Sequence, residues 1–153
     1  ALMDERRWAD ARKAFERALD YPLNIGVGKP YRPTDSPFYY RAGLAASAAG
    51  DNEVARDYWQ RGASEEHSDA ALVPRVYSAL CRQQLGDEAS STALEEIKKI
   101  LLERPRRSAD EDAALGVVEQ TLGRIEAARA AFITALEKQP YHLLASRELK
   151  RLG

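Results

Sequence analysis

The sequence predicts an all-α fold, a solenoid of about three helical hairpins with a leading helix and a C-terminal capping helix. Three observations predict it. A short frame of small and aromatic residues recurs along the chain at helical spacing. Glycines stand where the helices of that frame should end. Serine, proline and glutamate stand where the partner helices should begin.

The recurring frame places a small residue, a large residue four positions later and a second small residue three positions after that. Positions i, i+4 and i+7 lie on one face of a helix, so each copy predicts a buried helical face. The last interval, 35 residues between Ala93 and Ala128, resembles the period of about 34 residues found in one class of helical repeats. The four copies are Ala11-Phe15-Ala18, Ala55-Trp59-Gly62, the more divergent Ala93-Ile97-Ile100, and Ala128-Phe132-Ala135.

A second helix is predicted before each of the last three copies. Ser36 followed by Pro37 is typical of an N-cap and first helical residue, and Ser108 with Glu111 forms a capping box. Pro74 is acceptable only in the first turn of a helix from about Ala71 to Leu85. We therefore expect one repeat domain, 1–153. It would contain a half repeat (1–21), a long loop (22–35), three hairpins (36–66, 70–105 and 108–139) and a cap helix (141–152). Gly50, Gly86 and Gly123 would end the first helix of each hairpin.

Composition argues against several classes of partner. The net charge of -1 provides no long-range attraction for nucleic acid or an anionic membrane. No apolar run reaches the roughly 20 residues that span a bilayer. A single cysteine, Cys81, can form neither an internal disulfide nor a cysteine metal site, and it suits a reducing compartment. We expect a cytoplasmic protein.

Motifs that would indicate chemistry are incomplete. The loop around Gly26, Gly28 and Lys29 lacks the Ser or Thr of a phosphate-binding loop, although Lys29, Tyr31 and Arg32 remain candidates for contacts. The two histidines, His67 and His142, have no metal-ligand spacing and are expected to be exposed. Carboxylates are expected on helix ends and exposed faces, and no serine shows a histidine–acid partnership. We expect no enzyme activity, no cofactor and no metal.

The repeats resemble the tetratricopeptide repeat family over nearly the whole chain. The small residue of that family's first helix matches Gly43 and Gly116, and its preceding aromatic matches Tyr39, whereas Asp112 stands there in the last repeat. The resemblance implies a right-handed superhelix. The segments ALDYPLNIGVGKP, FYYRAGLAASAAGD and ARDYW also resemble the repeat region of large uncharacterised bacterial multidomain proteins thought to act on carbohydrates. Because the first repeat lacks its partner helix, we expect a fragment of a longer protein.

The resemblance also implies a concave binding surface lined by the first helix of each hairpin. The lining positions of this surface lack the Lys, Arg and Asn with which the family binds a peptide's terminal carboxylate, so we expect an apolar groove. The alternative is that these side chains are buried between hairpins. We expect a non-catalytic interaction or scaffold module for a protein, a peptide, another domain of the parent chain or a second copy; the alternative is a helical accessory region that shapes a carbohydrate-active enzyme. The predicted partner-binding residues are Tyr40, Leu44, Val76, Leu80, Gln83, Val117 and Gln120.

Overall fold

The computed structural model describes residues 7–18 and 34–153, and these residues form helices and no strands. Helices Ser36–Ala48 and Asn52–Ser64 of the first predicted hairpin pack against each other, as do Ala109–Thr121 and Ile125–Lys138 of the last. The all-α prediction is thus confirmed for the described residues. The helices are α1 (Trp8–Ala18), α2 (Ser36–Ala48), α3 (Asn52–Ser64), α4 (Leu72–Gln84), α5 (Ser90–Glu103), α6 (Ala109–Thr121), α7 (Ile125–Lys138) and α8 (Leu143–Leu152).

The chain divides into two compact units, Ala1–Ser90 and Ser91–Gly153. In the first unit α2 packs on α1, α3 and α4. In the second unit α6 packs on α7, and α8 packs on both. The predicted loop at 22–35, with Lys29, Tyr31 and Arg32, lies almost entirely outside the described residues.

Helix ends follow the local sequence signals in most places. Gly50, Gly86 and Gly123 have φ angles of 89°, 84° and 78°, the left-handed conformation predicted at these positions. The Ser108 hydroxyl accepts from the Glu111 N–H, and the Glu111 carboxylate accepts from the Ser108 N–H, so the predicted capping box is confirmed. Pro74 is the third residue of α4, where it removes no intrahelical hydrogen bond.

The start of α2 differs from the prediction. Ser36 is the first helical residue rather than the N-cap, and Asp35 holds the cap position without a side-chain capping bond. The Ser36 hydroxyl donates instead to the Pro74 carbonyl of α4, 2.9 Å away. A distant carboxylate, Glu65, accepts the hydrogen bonds from the backbone N–H groups of Asp35 and Ser36. A tertiary contact therefore replaces the local cap.

The recurring frame marks the buried faces of α3 and α7. Ala55, Trp59 and Gly62 are buried on α3, and Ala128, Phe132 and Ala135 are buried on α7. On α1, Phe15 packs against Tyr39 and Tyr58.

The third copy of the frame is wrong by one residue. Ile100 is exposed on α5, whereas the buried residues are Leu94, Ile97 and Leu101. Two leucines and one isoleucine at i, i+3 and i+7 bury more apolar surface than the set that contains Ala93. This difference explains why α5 buries a face that is rotated from the predicted one. None of the helices in residues 7–18 and 34–153 is long and apolar enough to cross a membrane.

Candidate functional site

The predicted partner-binding residues differ in how much of each side chain is accessible. In the first unit, Tyr40 and Leu44 lie one turn apart on α2 and are half-buried, as is Gln83 on α4. In the second unit, Val117 and Gln120 are half-buried on α6. Each unit thus presents its own small set of partly accessible side chains.

Val76 and Leu80 do not share this property. They are 0% and 1% exposed, so the expectation that they line an open surface is wrong. Both belong to a stretch of α4 in which every residue from Val76 to Cys81 is buried. A helix buried on nearly all sides leaves no free apolar face, which is the alternative that the sequence had left open.

Tyr40 and Leu44 stand on a rigid base. Both pack against a cluster that contains Trp59 and Cys81. The Trp59 indole Nε1–H donates to the Tyr40 carbonyl over 3.3 Å, which ties α3 to α2 at this point. The Tyr40 ring lies 5.7 Å from the Tyr77 ring, centroid to centroid. The patch formed by Tyr40 and Leu44 is therefore held in place by packing and a hydrogen bond, and both side chains remain partly accessible to solvent.

Arg41 borders the same patch. Its guanidinium lies 5.1 Å from the centroid of the Tyr77 ring and donates a 3.0 Å hydrogen bond to the Tyr77 hydroxyl. Stacking and hydrogen bonding together fix the direction of this cation. The first unit therefore offers a tyrosine, a leucine and an oriented arginine on one helix.

In the second unit, Val117 packs against the cluster that contains Ala113 and Phe132. Its carbonyl accepts a 2.8 Å hydrogen bond from the Thr121 hydroxyl. Gln120 lies on the next turn of α6. This set is smaller and has no aromatic side chain, so the first unit carries the stronger candidate surface.

A buried polar cluster joins the α3–α4 connector to the start of α2. It contains Ser36, Glu65, His67 and Ser78. The side chains of His67 and Glu65 are 3% and 6% exposed, and the His67 Nε2 atom lies 3.6 Å from a Glu65 carboxylate oxygen. The expectation that His67 is exposed is therefore wrong, whereas Glu65 stands at the end of α3, one of the positions expected for a carboxylate, and is buried there. Sequence reasoning missed this cluster because its members come from three separate elements.

The two serine hydroxyls in this cluster are not arranged as nucleophiles. Ser36 donates its proton to the Pro74 carbonyl, and Ser78 donates its proton to the Gly62 carbonyl over 2.8 Å. Ser78 can then only accept from His67 Nε2, which is 2.8 Å away, so that nitrogen carries a hydrogen. A general base would need a lone pair facing the hydroxyl, and this tautomer has none there.

The pKa values of His67 and of Cys81 on α4 are both shifted toward the neutral form of the side chain. Burial, followed by the nearby positive charges of Arg75 and Arg82, lowers the pKa of His67 below its ordinary value. Burial and the Glu65 charge raise the pKa of the Cys81 thiol to about 12. A thiol with so high a pKa forms almost no thiolate near neutral pH and is a poor nucleophile.

His142 is the other histidine, and it is also buried rather than exposed. Its Nδ1 accepts a 3.2 Å hydrogen bond from the Ala145 N–H and caps α8. Nε2 therefore carries the hydrogen and faces an Asp110 carboxylate oxygen at 3.0 Å. This histidine closes a helix end and has no lone pair left for a metal.

The second unit also contains two buried acids, Asp112 in the first turn of α6 and Glu119 near its end. The Asp112 side chain is 1% exposed and pairs with Arg107 and Lys138. Glu119 is buried beside Lys98 and Arg124. The segment before α6, Arg104-Pro105-Arg106-Arg107, is basic. Its Arg104 and Arg107 pair with Glu111 and Asp112, which reduces their availability for a nucleic-acid phosphate. Among residues 7–18 and 34–153, no group of three potential ligands could hold a metal ion.

The most exposed large apolar side chains of the second unit lie at the start of α8, one in the preceding turn and one at the first helical residue. Tyr141 and Leu143 are 90% and 86% exposed. No resemblance to known proteins adds to this picture: no protein-family model, no curated protein and no solved structure matches the chain.

Proposed function

We propose that this chain is a non-catalytic interaction module, a short tetratricopeptide-type solenoid that docks a protein or peptide on the first unit. The observation that carries the proposal is the patch formed by Tyr40 and Leu44, which is half open and supported from below by Trp59 and Cys81. A patch that is already rigid loses little conformational entropy when a ligand binds.

The chemistry of the patch indicates the kind of ligand. Tyr40 and Leu44 supply apolar area, and tyrosine is among the side chains enriched at interface hot spots. Gln83 lies on α4, which packs against α2, and its half-buried amide can donate to and accept from a peptide backbone. The oriented guanidinium of Arg41 would favour a ligand that places an acidic group beside an apolar side chain. We therefore expect an apolar peptide segment with a flanking Asp or Glu.

Replacing Leu44 with Glu tests the proposal. Peptides selected from a random display library on the wild-type chain should bind at least about tenfold more weakly to Leu44→Glu, because a charge enters the apolar patch and repels the acidic flank. Calorimetric titration measures the change. Leu102→Glu on α5 is the matched control, since Leu102 is 53% exposed and lies in the other unit.

Two outcomes would contradict this assignment. One is a library selection that yields no peptide above background. The other is a set of peptides whose affinities are the same for the wild type and for Leu44→Glu. Sedimentation velocity of the wild type separates a peptide-binding monomer from a chain that pairs with a second copy through the same patch.

The second candidate is a helical accessory region that packs on another domain of a longer, carbohydrate-active protein. The exposed side chains of Tyr141 and Leu143 favour it, because such large apolar side chains suit burial against a neighbouring domain. The domain content of the complete protein and its gene neighbourhood distinguish the two candidates. A catalytic domain adjoining this chain would favour the accessory role.

A further inference from the structure

The cluster of Ser36, Glu65, His67 and Ser78 holds two parts of the first unit together. Glu65 follows α3, and its carboxylate accepts hydrogen bonds of 3.1 Å and 2.7 Å from the Asp35 and Ser36 N–H groups at the start of α2. His67 fills the space between this carboxylate and Ser78 of α4. The contact between Glu65 and the start of α2 thus depends on the α3–α4 connector, in which His67 also contacts α4.

We propose that His67 makes this contact an acid-sensitive latch: a proton gained at Nδ1 opens the connector and releases the start of α2 from Glu65. The latch is closed at neutral pH, and its open form becomes more populated in mildly acidic solution. It would change the first turn of α2, the helix that carries Tyr40 and Leu44, and it does not depend on whether those residues bind a partner.

The geometry of the His67 ring carries this inference. Nε2 carries its hydrogen and donates it to Ser78, whereas Nδ1 is buried and has no hydrogen-bond partner among the described residues. Protonation would turn Nδ1 into a second buried donor without an acceptor. Leaving such a donor unsatisfied is unfavourable, so the protonated ring is better accommodated when the connector opens and admits water.

Burial, followed by two nearby cations, opposes protonation of the ring and lowers the pKa of His67. Burial is the larger cause, and the two cations are Arg75 and Arg82 of α4. Glu65 lies 3.6 Å from the ring and would favour its charged form. Asp35, whose N–H binds the same Glu65 carboxylate, is also buried. The neighbouring Cys81 thiol stays neutral, since its pKa is raised to about 12.

The sign of the pH dependence follows from the lowered pKa. A histidine in the open connector titrates near its ordinary value of 6.5 and in the closed latch below it. Protons therefore bind the open form more tightly. The stability that the neutral ring gives the latch is complete above 6.5 and is lost as the pH falls through the lowered value.

Amide hydrogen exchange by NMR measures the opening directly. Protection factors of the Asp35 and Ser36 amides, corrected for intrinsic exchange, should fall by up to about tenfold between about pH 7 and about pH 5.5. The Glu111 amide, bound to Ser108 in the other unit, is the internal reference and should keep its protection.

Two variants assign the effect. His67→Gln retains an N–H that can reach Ser78 but cannot gain a proton in this range, so its protection factors should not depend on pH. His142→Gln is the matched control and should behave like the wild type. An NMR titration of the wild-type His67 ring provides a reading that needs no variant. The proposal is overturned if that ring titrates at or above 6.5, or if the wild-type Asp35 and Ser36 amides keep the same protection at both pH values.

Discussion

Two glycines in the middle of helices, Gly43 and Gly116, lie where a larger residue would collide with an aromatic ring. A Cβ atom on Gly116 would be 2.5 Å from Cε1 of Phe132, and a Cβ on Gly43 would meet the indole of Trp59 more closely still. Each glycine therefore allows its helix to pack closely against the aromatic ring of the next helix. The same pairing of glycine and aromatic occurs in both units.

Replacing Gly116 with Ala should destabilise the protein. Alanine favours a helix over glycine by about 1 kcal/mol. The fully buried Phe132 ring cannot move aside, however, and overpacking of this kind costs about 1–3 kcal/mol. We expect a net fall in the free energy of unfolding, measured by urea denaturation.

A second substitution checks the cause of that fall. Adding Phe132→Leu to Gly116→Ala should cost less than Phe132→Leu costs in the wild type, because the smaller side chain makes room for the new methyl group. A Gly116→Ala protein as stable as the wild type would show that the two helices do not approach as closely as described.

Single residues also show how far the sequence predicts the structure. The resemblance to tetratricopeptide repeats singles out Gly43 and Gly116 as small residues, and the burial of their partners Trp59 and Phe132 follows from helical spacing. The burial of His67 does not, because its position in a connector carries no period and its contacts come from residues distant in the sequence. The only signal near it was Ser36 with Pro37, which indicated a helix start but not the acid that binds there.

At the scale of elements, Asp112 replaces the aromatic that the first hairpin has at Tyr39. Its carboxylate accepts a 2.6 Å hydrogen bond from Arg107 Nε in the turn before α6 and pairs with Lys138 near the end of α7. Lys138 also donates to the Arg107 carbonyl. A charged network therefore joins α6, α7 and the turn before α6. In the first hairpin, the corresponding position is occupied by Tyr39, which packs in an apolar cluster.

Asp112→Asn should therefore lower the free energy of unfolding by about 1–3 kcal/mol, because two cations lose a buried acceptor. The partial exposure of Arg107 and Lys138 keeps the loss below that of a fully buried pair. Asp57→Asn is the control. Asp57 pairs with Arg61 on the exposed face of α3, and its replacement should change stability by less than about 0.5 kcal/mol. Equal effects of the two substitutions in thermal melts would contradict this account.

Errors in predicting α4 and α5 have a common cause. A helical period identifies an apolar stripe, but it does not say whether the stripe meets a neighbouring helix or solvent. Val76 and Leu80 fitted an open surface equally well before their burial was known. In α5, two overlapping stripes competed, and the one that contains Leu94 and Leu101 is buried. Tertiary packing decided both cases.

At the scale of the whole molecule, the chain has two compact units, and each contains a hydrophobic cluster. The cluster of the second unit is built around Phe132, Ala113 and Ala145, all from α6, α7 and α8. Contacts in helical repeats are mostly between sequence neighbours, so each unit contains most of what stabilises it.

We therefore expect a fragment of residues 87–153, which includes all of α5, to fold without the rest of the chain. Circular dichroism should show a helical spectrum and a cooperative thermal transition, at a lower midpoint than that of the intact chain. A fragment with the spectrum of an unfolded peptide would mean that the second unit depends on the first for its stability.

The division between Ser90 and Ser91 also determines which part of the molecule tryptophan fluorescence can monitor. Both tryptophans, Trp8 and Trp59, belong to the first unit. Indole emission during denaturation therefore follows that half alone, whereas far-ultraviolet ellipticity follows the helices of both. One unlabelled sample, observed by both methods, thus reveals whether the two halves melt at the same denaturant concentration or one after the other.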